Sequence, residues 1–148
     1  MMDKREAILA RLLEVAGSIA GIKTATRNQD EVSERARPAI AIFDADETAD
    51  ERAEERGHSG RAPNIVEMSP EALILLGGTP QGVGTALNDV RAKLIKAVLT
   101  DIELAALIGS NGRARYVGCG THLGHGRSME GAMSVQFTFA YVLRPDQL

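Results

Sequence analysis

The chain has no tryptophan, a single cysteine, and no aromatic side chains beyond three phenylalanines and two tyrosines in its 148 residues. One cysteine cannot close an internal disulfide, so the fold must rest on burial, as expected for a protein matured in a reducing compartment. Charge of one sign is also lacking: 17 basic residues face 20 acidic ones, for a formal net charge of −3. That balance argues against the basic field that draws in nucleic acid, and no sequence-specific nucleic-acid contact is expected. No apolar run approaches the roughly 20 residues a spanning helix needs. The opening M-M-D-K-R-E leads into an amphipathic pattern rather than a signal peptide, so a membrane role is not expected. The composition predicts a soluble protein made in the cytoplasm and folded as one domain over residues 1–148, long enough to bury a core without staples.

Most of the scarce aromatics sit together. In M-S-V-Q-F-T-F-A-Y-V-L, residues Met133, Val135, Phe137, Phe139 and Tyr141 share one face and Ser134, Gln136, Thr138, Ala140 and Val142 the other. Strict alternation over this length, with aromatic and β-branched residues, is the signature of a half-buried strand. The core of a sheet is expected here.

From Asp3 to about Ala16 the period changes to that of a helix. Ile8, Leu9, Leu12, Leu13, Ala16 and Ile19 make its apolar stripe, Asp3 can cap its start, and Gly17 or Gly21 can end it. A short strand is predicted over Ile22 to Asn28, with Lys23 and Arg27 outward, followed by a polar turn from Gln29 to Arg35. Pro38 opens a second strand, R-P-A-I-A-I-F-D-A-D-E, that ends in acid at Asp44, Asp46 and Glu47. Residues 47–63 hold no large aliphatic side chain and cannot bury enough apolar surface to offset their ordering entropy, which predicts a mobile charged loop. Strand character resumes from Asn64 to Leu76, broken by Pro70. A second amphipathic helix follows from Val83 to about Thr100, then a helical turn from Glu103 to Ile108. The turn signal G-S-N-G precedes a strand from Arg113 to Gly120, and a Gly/His loop runs to Gly131. The expected architecture is α+β: a mostly antiparallel sheet of about four to five strands with two amphipathic helices packed on one face.

Few residues in this pattern carry chemistry. Cys119, His122 and His125 in C-G-T-H-L-G-H are zinc-type donors, but a compact site needs a fourth ligand, and the remaining histidine, His58, lies in the charged loop. No metal is therefore expected. The glycines of L-G-G-T-P-Q-G-V-G lack both the Lys-Ser/Thr ending of a P-loop and the spacing of a dinucleotide fingerprint. Thr79 or Thr85 as a helix cap explains that stretch, and no cofactor is expected. Asp44, Asp46 and Glu47 have no histidine or basic partner in fixed register, and no serine or cysteine stands in a nucleophile elbow. Enzymatic activity is not expected.

The order of these segments resembles the tail terminator, or tail-completion, proteins of long-tailed bacteriophages. The likeness rests on the helix R-E-A-I-L-A-R-L, on R-P-A-I-A-I-F-D-A-D-E with its charged insertion, and on the M-S-P-E strand. G-T-A-L-N-D-V-R-A-K-L-I-K-A-V-L-T-D and the aromatic closing strand complete it, over nearly the full length. Cys119 to Gly126 has no counterpart in that pattern. The resemblance implies a non-enzymatic virion protein that caps the head-proximal end of the tail tube as a ring, generally a hexamer. Such a ring stops tube growth and offers the head-joining surface. Its partners would be copies of itself, the tail-tube protein and a head-completion or connector protein. Arg37, Asp44, Asp46 and Glu47 are the candidate contacts. Two alternatives stand beside this reading: another head–tail connector or neck protein of the same virion, and a small metal- or ligand-binding regulatory domain using Cys119, His122 and His125.

Overall fold

The computed structural model describes residues 3–49, 63–124 and 129–148. Its first element, α1 (Lys4–Gly17), buries Ile8, Leu9, Leu12, Val15 and Ala16 along one stripe. Asp3 precedes it, its carboxylate accepting no capping hydrogen bond. The chain then forms β1 (Thr24–Arg27), a 3-10 turn at Glu34–Ala36, β2 (Ala39–Phe43) and β3 (Glu47–Ala49). After residues 50–62 come β4 (Asn64–Met68), β5 (Glu71–Gly78) and the long α2 (Val83–Leu99). A short α3 (Ile102–Ile108) leads into the hairpin of β6 (Arg113–Leu123) and β7 (Met129–Leu143), and a 3-10 turn at Pro145–Gln147 ends the chain.

All strands join one open sheet in which β7 is central. One edge of β7 pairs along its length with β6; the other pairs with β5 over Met129–Gln136 and with β4 over Phe139–Leu143. β2 adds to β5 and β3 to β4, all antiparallel, and β1 closes the far end parallel to β2. The fold is therefore α+β, but with seven strands and three helices among the described residues rather than four to five strands and two helices. Two bends account for the extra strands. Pro70 splits the 64–78 segment, with the Pro70 carbonyl accepting from the Phe137 amide at 3.2 Å. Beside it, Ala45 at a φ of 54° splits β2 from β3, and the Ser69 amide donates to the Asp46 carbonyl at 3.0 Å. The extra helix is the 102–108 segment. It gains full helical form because the Asp101 carboxylate accepts from the Leu104 amide at 2.9 Å while Leu104 and Ile108 are buried.

Two further expectations change. The predicted charged loop begins as strand, because Glu47–Ala49 finds a partner in Val66–Met68; residues 50–62 of that loop lie outside the described residues. The predicted Gly/His loop begins three residues late, because β6 continues to Leu123 against β7.

The aromatic face of β7 behaves as its alternation predicts: Met133, Val135, Phe137, Phe139 and Tyr141 are all buried. They meet residues of all three helices in one core, where each fully buried aliphatic side chain contributes roughly 1.5–3 kcal/mol. The opposite face of the sheet carries a small second cluster, Val32, Ala39 and Leu75, roofed by the segment between β1 and β2. Ala41 and Thr138 are also buried on that face, and other positions on it are exposed among the described residues. There Ile65 stands exposed beside its cross-strand neighbour Val142, and Val117 is exposed at a bulge in β6.

Candidate functional site

The four candidate contact residues do not form one site. Asp44 takes part in an ion cluster built from three separate elements. Arg27 at the end of β1 grips the Asp44 carboxylate at 2.8 and 3.0 Å and the Glu6 carboxylate of α1 at 2.6 and 2.8 Å. Arg27 thus turns toward the helices, where sequence alternation alone had placed it outward. Asn28, at a φ of 57°, accepts from the Asp44 amide at 3.0 Å. The Arg27 guanidinium holds both carboxyls below their ordinary range. These groups saturate one another, which marks a brace between α1, β1 and β2 rather than an open binding site.

Asp46 is exposed. Glu47 begins β3 and accepts a hydrogen bond from the Tyr141 hydroxyl, whose pKa is pushed up by burial first and by Glu47 second. Arg37 lies elsewhere, on the roofed side of the sheet. Its Nε donates to the Val32 carbonyl at 3.1 Å and its guanidinium stands 3.6 Å from Glu130. It pins the roof segment to the start of β7.

The zinc-type donors are separated by strand geometry. Cys119 pairs with Val135 and so faces the helices; His122 pairs with Ala132 and faces the other way. Three residues apart on a strand, they cannot ligate one ion together. His125 lies outside the described residues, and among those described no group of three His, Cys, Asp or Glu side chains converges. Cys119 instead stands beside Arg91 of α2, whose protonated form is favoured by the Tyr116 hydroxyl first and the Cys119 thiol second. Arg91 donates to that hydroxyl at 3.1 and 3.2 Å and lies 5.1 Å from the ring centre. Sequence reading missed this contact, since 25 residues separate Arg91 from Tyr116.

Three surface depressions of about 210, 190 and 230 Å3 fall below the roughly 300 Å3 of ordinary small-molecule sites. The first has an apolar floor of Ala7, Leu107, Val142 and Leu143 under Lys4 and Arg144. The third is formed by Thr48, Ala49, Ile65, Val66 and Glu67 of β3 and β4. Neither sets a nucleophile against a base.

What remains is the open edges of the sheet. Among the described residues β1 pairs only with β2, the short β3 only with β4, and β6 only with β7, so each exposes a row of unpaired backbone groups. Arg113 and Arg115 protect the first half of β6, and a register shift between Tyr116 and Gly118 bends it. The second half, Gly118–Leu123, is exposed from Cys119 onward, carries no fixed charge and no proline, and has open space where Gly118 and Gly120 would bear side chains. Soluble proteins blunt such edges unless they are used. The chain matches no protein-family model and no curated protein in sequence.

Proposed function

We infer that this chain is a non-catalytic virion protein that caps the head-proximal end of a long phage tail as a ring of its own copies. The observation that carries the reading is an open sheet in which, among the described residues, β1 and β6 are unlike strands each paired along one edge alone, as the three-residue β3 also is. A closed ring needs two unlike, mutually complementary patches on every subunit, and such ends supply them. The resemblance of the helix, strand and M-S-P-E segments to tail terminators supplies the rest of the argument. The contacts so far described serve to brace the fold, consistent with a structural role.

The test is negative-stain imaging of the protein mixed with polymerised tail-tube protein from the same gene cluster. The expected result is caps confined to one tube end and tubes that stop lengthening. Binding to a portal or head-completion ring, with tubes ignored, would assign the chain to the connector instead. Indifference to both would overturn a role at this joint.

A further inference from the structure

The C-G-T-H-L segment, which the tail-protein resemblance left without a role, lies level with the opposite end of the sheet. Following the pairs across the sheet, His122 sits beside Ala132, Ala132 beside Leu75, Leu75 beside Ala39, and Ala39 beside Thr24. By the same route Cys119 leads through Val135, Ala72 and Ile42 to Arg27. The bare half of β6 and the whole of β1 therefore occupy the same rows. The faces agree as well: Thr24 and His122 lie on the side away from the helices, Arg27 and Cys119 on the helix side.

Strand direction completes the match. β1 runs with β2, and the steps from β2 to β5, β7 and β6 are each antiparallel, so β1 and β6 run in opposite senses. A second copy in the same orientation sets its β1 antiparallel to the first copy's β6, the better-bonded arrangement. The roof segment beside β1 exposes Asp30, Glu31 and Glu34 together with Arg35, while β6 exposes Arg113 and Arg115, the latter 3.9 Å from Glu67 of its own chain.

We propose that Gly118–Leu123 of one subunit pairs edge to edge with Thr24–Arg27 of the next, joining the sheets of neighbouring copies into one. The proposal rests on the ring reading for closure, but the joint itself can be tested apart from it. Two variants each carry a single cysteine on the face away from the helices: Cys119→Ser with His122→Cys, and Cys119→Ser with Thr24→Cys. Both positions lie on solvent-reached strands, and an unchanged melting temperature confirms folding before use. The two are given different masses, mixed, and oxidised both free and on tail tubes.

The expected result is a disulfide-linked mixed pair well above the share random pairing would leave. Self-linkage of the His122→Cys chain would mean that β6 meets β6, and would overturn the proposal; so would the absence of any linked species. Mixed pairs that leave tube growth unchanged would keep the joint and remove the tail-cap reading. Capped tubes without mixed pairs would do the reverse.

Discussion

Arg27 shows how one side chain can hold three elements. Its two carboxylate partners have folded-state pKa values below the ordinary 4.5 of Glu6 and 3.8 of Asp44. Depressed pKa values add stability that is fully present above those ordinary values and is lost as pH falls through the depressed ones. Urea midpoints measured from pH 6 downward should therefore fall steeply once the pH passes below about 4. In Arg27→Met the fall should be shallower and the neutral-pH midpoint lower, since Glu6 and Asp44 would lose the guanidinium that bonds them both. An unchanged acid profile would show that Arg27 does not govern those carboxyls. Two glycines allow close approach. A Cβ at Gly131 would meet Val83 Cγ2 at 2.6 Å and Leu87 Cδ1 at 3.0 Å, both side-chain tips. At Gly112 it would meet the backbone carbonyls of Ala140 and, at 2.8 Å, Ile108. Gly131→Ala should cost about 1–2 kcal/mol in chemical denaturation and Gly112→Ala about 3 kcal/mol, because backbone yields less than a side-chain tip. Equal costs would contradict this ordering.

Among the elements, α3 and β3 owe their existence to contacts that composition does not announce. Asp101 caps α3 and takes a bidentate grip from Arg11 of α1, at 2.8 and 2.9 Å, which also lowers its pKa. Asp101→Ala should lower stability by about 1–2 kcal/mol, in the range of a lost helix cap, with reduced helical ellipticity as the readout. β3 is three residues long and is held by β4 and by the Tyr141 hydroxyl on Glu47. Tyr141→Phe should speed amide exchange over Glu47–Ala49 while leaving β5 protected; uniform loss of protection across the sheet would show the bond to be general rather than local. The helices α1 and α2 and the alternation of β7 were legible in the sequence, because one-sided burial imprints a period of 3.6 or 2 on the residues. The strand count was not. Glu47–Ala49 reads as loop by composition and becomes strand because a partner edge lies alongside it, and the break at Ala45 leaves no sequence signature. The two bends turn continuous apolar segments into pairs of strands. β6 past Gly120 was missed for the same reason: Gly-Thr-His is extended only because β7 holds it.

Among the described residues the molecule has a covered helical side, a half-roofed sheet side, and unlike ends. If opposite charges help set neighbouring copies side by side, assembly should weaken with salt, because exposed charges are screened beyond about 8–10 Å at physiological ionic strength. Sedimentation at rising salt should show smaller assemblies, and Arg113→Glu with Arg115→Glu should remove most of that dependence; assembly that ignores salt would leave backbone pairing and apolar contact as the only forces at the joint. Local chemistry along the chain was enough to determine the α+β class, the two long helices and the core strand. Each of those is written in spacing between residues close in sequence. The tertiary structure alone decided that Arg27 reaches Glu6 and Asp44, that Cys119 and His122 face apart, and that Thr24 and His122 share a row at opposite ends of the sheet. Those relations depend on register between distant strands, and register is set by the packing of the whole core rather than by any stretch of residues.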